Sequence, residues 1–480
     1  MRHGKVEFSI ACLVVFYYVS HGLHELESRS SAIHRRQRLP RGVKDNLKEG
    51  WKYVSRKKDG DDEWDSFCAL GIVNSSVAIA SYICLSGLIT NKLRRVKNYF
   101  ENDIIRVLIS LASIGYLFSW KYLVLTLLLP ILILCQNSLV PDAAVNFAMI
   151  VSVLLGSFYF PHIIEQLNTN STLGFLAVPM VVMLVFRCYS FCFESRKALK
   201  VKDTIDYFSY VFYLPTFISG PVIPYDSFKS ADDRKFKNFF SEMLWTFLRL
   251  TWIFSLLFLF DYCLHYIYLF SVTEELAKMT PTSVVLLMVL LVVFDWAKCF
   301  FIYEIVKSIM AFDGHEGPAF PPVLCSISTF ADTYFDRTLH FWVSRYLYDP
   351  RASKGFISET IGAMLTFVIV WLSQGMSWTV GIWAIVNFLG LQLESLMGRT
   401  FGDEFDRWRL KSLLLGVNYF LILLANLTGI IGVSKTTKLL SYFAKISWSD
   451  FATVILILYC YTVLNYYRQN RSTAAKRKIE

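Results

Sequence analysis

The stretch DYFSYVFYLPTFISGPVIP, residues 206–224, interrupts a chain that is otherwise dominated by long apolar segments. Its last twelve residues, 213–224, contain three prolines and a glycine, so they cannot form a straight helix that crosses a membrane. They are nevertheless apolar, and irregular backbone at membrane depth is tolerated only where protein buries it or where it lines a wet cavity. The stretch therefore predicts a kinked or re-entrant element at a functional site.

Apolar runs lie on both sides of this stretch. The 480 residues are 55% hydrophobic and 18% charged, and crossing the hydrocarbon core takes about 20 mostly apolar residues. The predicted spans are residues 6–24, 67–89, 103–119, 121–136, 144–160, 173–193, 243–270, 283–303, 361–373, 379–398, 411–433 and 451–467. Several are short or carry a charge, so we expect about ten to twelve membrane-embedded helices in an all-α integral membrane fold.

The net charge of +10 is concentrated in short basic runs beside apolar segments, among them residues 35–41 and 56–58. Such runs are typical of cytosolic loops or of contact with anionic lipids, so we expect membrane lipids as partners and no nucleic acid. Residues 1–66 are predicted to form a retained anchor helix with a basic interfacial segment. Residues 67–467 are predicted to form the membrane domain, and 468–480 a basic tail.

The tail places Lys476 and Lys478 five and three residues from the end. This spacing is that of a dilysine retrieval signal if the tail is cytosolic, which predicts a multi-pass protein of the endoplasmic reticulum membrane. A basic juxtamembrane tail without an addressing role is the alternative.

A second interruption covers residues 311–355, where three prolines precede a polar and aromatic run at 332–342. Asp332, Asp336 and His340 are spaced by four, so on a helix they share one face. Inside a membrane such ionisable groups are costly and usually functional, whereas in the headgroup region they are ordinary polar residues.

Taken in order, these motifs resemble those of the membrane-bound O-acyltransferase family. Residues 206–221 are similar to its tyrosine-rich signature with a Gly-Pro pair, 187–194 to the run upstream of it, and 334–348 to the next motif. Within the family, residues 50–64 and 312–325 resemble the Hedgehog acyltransferase and Hedgehog-acyltransferase-like branch. The resemblance implies a helical bundle with re-entrant segments around a tunnel, with long-chain acyl-CoA, such as palmitoyl-CoA, as substrate or ligand.

The resemblance also implies a catalytic histidine, supported by an upstream polar residue that Asp336 matches. The matching apolar stretch, residues 367–375, places either Leu372 or Gln374 at the histidine position, and neither side chain acts as a general base. The chain contains no histidine from Gly355 to its last residue. His340 is the nearby replacement, with an interfacial hydrogen-bonding role as the alternative, and His162, His265 and His315 are predicted to be structural.

Cys325 matches the cysteine that ligates haem in Hedgehog acyltransferase, so the resemblance implies a haem cofactor with Cys325 as its metal ligand. An unliganded thiol is the alternative.

Three functions remain open at the level of sequence. The first is a pseudoenzyme that binds acyl-CoA and regulates protein lipidation, since the Hedgehog-acyltransferase-like branch also lacks the histidine; its partner would be a secreted signalling protein or an active acyltransferase. The second is an active acyltransferase that transfers palmitoyl to a secreted protein or a lipid. The third is a transporter or scaffold, by analogy with fungal relatives linked to glycerol uptake and lipid-anchor remodelling.

Overall fold

The computed structural model describes residues 2–36, 38–66, 99–140, 143–159, 166, 174–195, 201–217, 220–230, 239–313, 315, 317, 337–352, 356–401 and 408–476. Helices make up most of these residues. In chain order the elements are α1 (Arg2–His34), α2 (Arg41–Asn46), β1 (Leu47–Lys48), β2 (Lys58–Asp59), α3 (Asp62–Ser66), α4 (Tyr99–Leu117), α5 (Trp120–Leu139), α6 (Ala143–Tyr159), α7 (Gly174–Glu194), α8 (Val201–Val211), α9 (Leu214–Phe217), α10 (Tyr225–Ser230), α11 (Phe239–Cys263), α12 (Leu269–Val272), α13 (Pro281–Asp313), α14 (Arg337–Val343), α15 (Asp349–Ala352), α16 (Phe356–Ser373), α17 (Trp378–Phe401), α18 (Trp408–Ile430), α19 (Val433–Phe443) and α20 (Trp448–Lys476).

Four helices in the described part of the chain are long and apolar enough to cross a membrane, namely α5, α11, α13 and α17. The pair α19 and α20, bent by 116° at a short break, adds a fifth. The predicted all-α membrane fold is therefore confirmed. The expected number of about ten to twelve embedded helices stays a prediction, because the predicted span 67–89 lies outside the described residues.

Helix α13 lies at the centre of one half of the fold, where it packs against α1, α11, α18 and α20. Its apolar residues are buried on several sides, including Leu287, Leu291 and Phe294. A helix that is apolar all round is expected in such a central position. Helix α7 has the corresponding role in the other half, where it contacts α5, α6 and α8.

The predicted span 243–270 ends earlier than expected, because α11 stops at Cys263. Residues 264–280 form turns, the short helix α12 and a 3-10 turn at Thr273–Lys278. His265 and Ser271, both fully buried, hydrogen-bond to a segment from near the N-terminus instead of continuing the helix. A hydropathy pattern cannot predict these tertiary hydrogen bonds, so it did not predict the end of the helix.

That segment, residues 41–66, is here called the N-terminal cap. Its strands β1 and β2 pair antiparallel, with Leu47 opposite Asp59 and Lys48 opposite Lys58. The buried carboxylate of Asp261, near the end of α11, accepts three hydrogen bonds from the cap. The donors are Trp51 Nε1 at 2.7 Å, Lys58 Nζ at 2.9 Å and Trp64 Nε1 at 2.8 Å. A buried carboxylate is tolerated because its lone pairs are occupied in this way.

A second buried carboxylate, that of Asp59, fixes the cap to α12. It accepts hydrogen bonds from the backbone N–H of Phe270 at 2.6 Å and from Ser271 Oγ at 2.5 Å. Burial raises the pKa of Asp59 to about 7, against the opposing effect of the hydrogen bonds from Ser271 and Phe270. The cap is thus attached to α11 and α12 through two acidic side chains that are removed from water.

Candidate active site

The interrupted backbone predicted at 213–224 is present, with α9 only four residues long and non-helical residues 220–224 following it. Arg187 of α7, 1% exposed, lies beside it. Its guanidinium donates to the carbonyl oxygens of Val211 at 3.2 Å and Tyr213 at 3.4 Å, and to that of Thr216. A guanidinium group has five N–H donors in a rigid, planar arrangement. It therefore suits a broken helix, whose carbonyl groups no longer accept hydrogen bonds within the helix. Arg187 therefore holds the broken segment against α7.

The tyrosines of the signature each bind a different part of the fold through their hydroxyl groups. Tyr207 donates to the carbonyl of Pro130 in α5 at 2.9 Å, and Tyr210 donates to the carbonyl of Ile223. Tyr213 donates to Asp313 Oδ2 at 2.8 Å, at the end of α13. A tyrosine suits such positions because its ring packs in an apolar core while its hydroxyl group reaches a polar atom.

Helix α14 and the π-helical turn after it, Ser344–Tyr348, pack against the second half of α7. The ring of Trp342 packs against that of Phe186, with centroids 4.5 Å apart and the planes tilted by 31°. Its indole N–H donates to Ser190 Oγ at 2.7 Å. One turn further, the hydroxyl of Tyr346 donates to Glu194. The sequence predicted neither pairing, because 152 positions separate the partners in each.

Glu194, the last residue of α7, joins three elements at the end of this cluster. Arg345 Nη2 lies 3.2 Å from Glu194 Oε1 and also pairs with Asp226 of α10. The backbone N–H of Asp226 donates to Glu194 Oε2 at 2.7 Å. The first and third motifs of the sequence are therefore joined by a partly exposed ionic cluster.

Leu372 is buried, 8% exposed, in the apolar cluster that contains Leu339 and Trp342 of α14 and Ile369 of α16. Gln374 lies one residue beyond the end of α16 and is exposed. Of the two residues that the sequence allows at the histidine position, only Leu372 therefore packs with α14. Gly375, with φ of +75°, ends the helix in the left-handed conformation that glycine adopts at low cost.

The remaining predicted site residues divide between described and undescribed parts of the chain. His340 lies in α14, half-buried and next in sequence to Leu339. Four other candidates lie outside the described residues: Cys325, His162, Asp336, and Asp332, which was predicted to share a helix face with Asp336. Within the residues that the structure describes, no group of three or more His, Cys, Asp or Glu side chains could hold a metal ion.

Two other histidines are buried in different environments. His265, 0% exposed, accepts the backbone N–H of Trp51 at Nε2 and lies 3.0 Å from the carbonyl of Asp261 at Nδ1, which agrees with a structural role. His315, 4% exposed, stacks on Phe228 and packs edge-on against Tyr213. Burial lowers the pKa of His315 to about 3, and the charge of Arg106 acts in the same direction. His315 is therefore neutral at physiological pH.

The broken segment, the signature tyrosines and the contact between α7 and α14 contain the residues on which the resemblance to a family of membrane acyltransferases rests. The chain belongs to the membrane-bound O-acyltransferase family, whose model matches residues 113–433. This membership implies a multi-pass membrane protein with lipid and acyl-CoA substrates.

Similarity to individual proteins indicates which branch of this family the chain resembles. It is 23% identical over 448 residues to the protein-cysteine N-palmitoyltransferase HHAT-like protein of Mus musculus, covering 88% of this chain and 86% of that protein. To protein-cysteine N-palmitoyltransferase HHAT of Mus musculus it is 25% identical over 276 residues, 53% of this chain and 55% of the relative. To the membrane-bound O-acyltransferase GUP1 of Millerozyma farinosa it is 23% identical over 236 residues, 47% and 46% of the two chains. The predicted resemblance to this branch is confirmed.

Proposed function

We propose that this protein is an acyl-CoA-binding regulator of protein lipidation that has lost the catalytic chemistry of its family. The observation that carries the proposal is Leu372, an apolar side chain buried against α14 at a position where the resemblance expects a general base. Leucine neither accepts nor donates a proton. Loss of general-base catalysis alone costs about 10²–10⁴ in rate.

The framework around this position is retained, and this supports binding rather than turnover. Arg187 holds the broken backbone, and Trp342 is hydrogen-bonded to Ser190. A chain that keeps this scaffold binds palmitoyl-CoA and lowers its availability, or pairs with an active acyltransferase that modifies a secreted signalling protein. Its likeness to a HHAT-like protein over most of both chains supports the same branch.

The test is a paired assay of binding and transfer on the purified full-length chain in detergent. Radiolabelled palmitoyl-CoA is supplied with and without a peptide that has a free N-terminal amine. We expect saturable binding without transfer. Leu372→His is expected to give measurable transfer, and Leu372→Ile, a substitution of equal volume, is the matched control. Wild-type turnover that Asp336→Ala abolishes would overturn the proposal.

An active acyltransferase is the second candidate, favoured by the position of His340 on α14, the helix that packs against Leu372. An N-terminal amine has a pKa of about 7.7–8.0, so part of it is already a free nucleophile near neutral pH. Positioning of thioester and amine then sustains slow transfer. This candidate requires that His340→Gln and Asp336→Ala each abolish the turnover of the wild type, while binding of palmitoyl-CoA is kept.

Transport or scaffolding is the third candidate, and it rests on the analogy with fungal relatives made from the sequence. The GUP1 and GUP2 proteins that the chain matches over about half of its length are named membrane-bound O-acyltransferases. Flux of a small polyol into proteoliposomes that does not depend on acyl-CoA would establish it. The absence of such flux, with acyl-CoA still bound, would exclude it.

Two finer proposals come from the sequence. Residence in the endoplasmic reticulum follows from the tail lysines Lys476 and Lys478, and Lys476→Ser with Lys478→Ser is expected to redistribute the protein. Haem ligation by Cys325 follows from the resemblance. It predicts a Soret absorbance band in the purified protein that Cys325→Ala removes.

A further inference from the structure

The N-terminal cap uses several of its acidic side chains in contacts within the protein, whereas many of its basic side chains are exposed. Three of its carboxylates are used inside the protein. Asp59 binds α12, Asp61 pairs with Lys298 of α13, and Asp65 lies 2.6 Å from both Lys48 and Lys58. Asp61 and Asp65 are neutralised by lysines in this way, so they do not balance the basic residues at the surface.

The cations of the cap and of the turn before it are left at the surface. Six are exposed and make no ion pair among the described residues, and they form what is here called the basic face: Arg35, Arg38, Arg41, Lys44, Lys52 and Lys57. Only Asp45 and Glu49 are exposed acids between them in the described part of residues 35–57. The basic face therefore carries a net positive charge that the fold itself produces.

The position of the cap relative to the membrane follows from Trp51. Its ring lies 6.2 Å from that of Phe258 and 6.0 Å from that of Tyr262, measured between centroids. These two residues end the apolar stripe that α11 exposes, in which Trp252 is 65% and Leu259 58% exposed. Helix α11 is long and apolar enough to cross the membrane, and aromatic residues gather at the membrane interface, so we take Trp51 to lie at the headgroup level.

We propose that the basic face binds the anionic phospholipid headgroups of the leaflet beside the N-terminal cap. Three features meet there. The cations make no ion pair with any residue that the structure describes, and an aromatic anchor lies at the end of a helix long and apolar enough to span the membrane. Tyr53, 96% exposed, projects from the loop between β1 and β2. Each Lys or Arg held close to an anionic surface strengthens its binding by about fivefold.

The experiment compares the association of spin-labelled phosphatidylserine and phosphatidylcholine with the full-length protein in liposomes, by electron paramagnetic resonance. The main variant combines Arg41→Gln, Lys44→Gln, Lys52→Gln and Lys57→Gln. Its matched control combines Lys121→Gln and Lys445→Gln, two exposed lysines outside the basic face. A second variant, Asp45→Asn with Glu49→Gln, removes the exposed acids instead.

We expect the wild type to prefer phosphatidylserine. The main variant should reduce the ratio of the two association constants by about fivefold or more, while the control keeps it and the second variant raises it. All four substituted cations are exposed, so the thermal unfolding midpoint should not change. An unchanged ratio in the main variant overturns the proposal. Salt-dependent capture of a polyglutamate peptide in place of phosphatidylserine would also overturn it, by assigning the face to an acidic protein segment.

Discussion

Trp342 of α14 and Ser190 of α7 are joined by a hydrogen bond of 2.7 Å inside an apolar cluster. The Ser190 hydroxyl also donates to the carbonyl of Phe186 at 3.1 Å, so it is satisfied on both sides. This pair fixes the approach of α14, which carries His340, to the helix that carries Arg187.

Ser190→Ala is expected to destabilise the protein by about 1–3 kcal/mol, because the buried indole N–H of Trp342 loses its acceptor. Trp342→Phe removes that N–H, so the double variant should be more stable than the sum of the single effects predicts, by about 0.5–1.5 kcal/mol. Thermal unfolding in detergent measures these changes. The control is Ser152→Ala, an exposed serine of α6 bonded to its own helix. If the stability change of the double variant equalled the sum of the two single changes, the hydrogen bond between Ser190 and Trp342 would not contribute to stability.

Arg187→Met is expected to cost about 3–5 kcal/mol and to weaken palmitoyl-CoA binding, because three carbonyl groups lose one buried donor. Arg187→Lys should rescue little of this, since an ammonium group does not have the planar fork of a guanidinium. Arg249→Met, which changes an exposed arginine of α11, is the control. Full stability and binding in the lysine variant would show that charge alone is needed.

Leu372→Ala is expected to lower stability by about 2–5 kcal/mol, because it opens a cavity between α14 and α16. Gln374→Ala should change stability by less than about 0.5 kcal/mol, since Gln374 is exposed. Thermal unfolding of the two variants is compared under the same conditions. Equal losses of stability in the two variants would mean that Leu372 does not pack in the apolar cluster with Leu339 and Trp342.

Asp59 makes stability depend on pH. Its pKa is raised from 3.8 to about 7 in the folded chain, so the folded state holds a proton that the unfolded state has released. Stability from this group is therefore present at low pH and declines as the pH rises through about 4 to 7. Asp59→Asn should flatten that part of the profile. The thermal unfolding midpoints of the wild type and of Asp59→Asn are compared between pH 5 and pH 8. Parallel pH profiles would show that Asp59 does not cause this dependence.

Asp261→Leu should destabilise the cap, because two indole N–H groups lose their acceptor and the buried Lys58 loses one of its two carboxylate partners. We expect trypsin to cut faster after Lys52 and Lys57. Asp261→Asn should have a smaller effect because one carbonyl oxygen remains. Asp45→Leu at an exposed position is the control. Unchanged cleavage in the leucine variant would contradict the role of Asp261.

The sequence predicted the helices well wherever apolar runs were long. The runs at 121–136 and 283–303 correspond to α5 and α13, and the prolines at 215, 221 and 224 correctly predicted an interruption. Residue type and short-range spacing are sufficient for such features, because prolines and runs of apolar residues act on the local backbone.

The contacts that build the site could not be predicted in the same way. Arg187 reaches carbonyl groups 24 to 29 positions away, and the pattern of an apolar helix contains no sign of them. Asp261 stood inside a predicted span, where it was one charged residue in an apolar run. Its role depends on Trp51, Lys58 and Trp64, which only the folded chain brings near.

The cap also has a consequence for biosynthesis. Lys58 is made 203 residues before Asp261, the carboxylate that it binds. At about 5–20 residues per second, the cap emerges roughly 10–40 seconds before its partners on α11 and α12. Trp51 and Trp64 lack their shared acceptor, Asp261, during that time, so a nascent chain that stalls before α11 has a cap without these hydrogen bonds. Attachment of the cap therefore indicates that synthesis has passed α11 and α12.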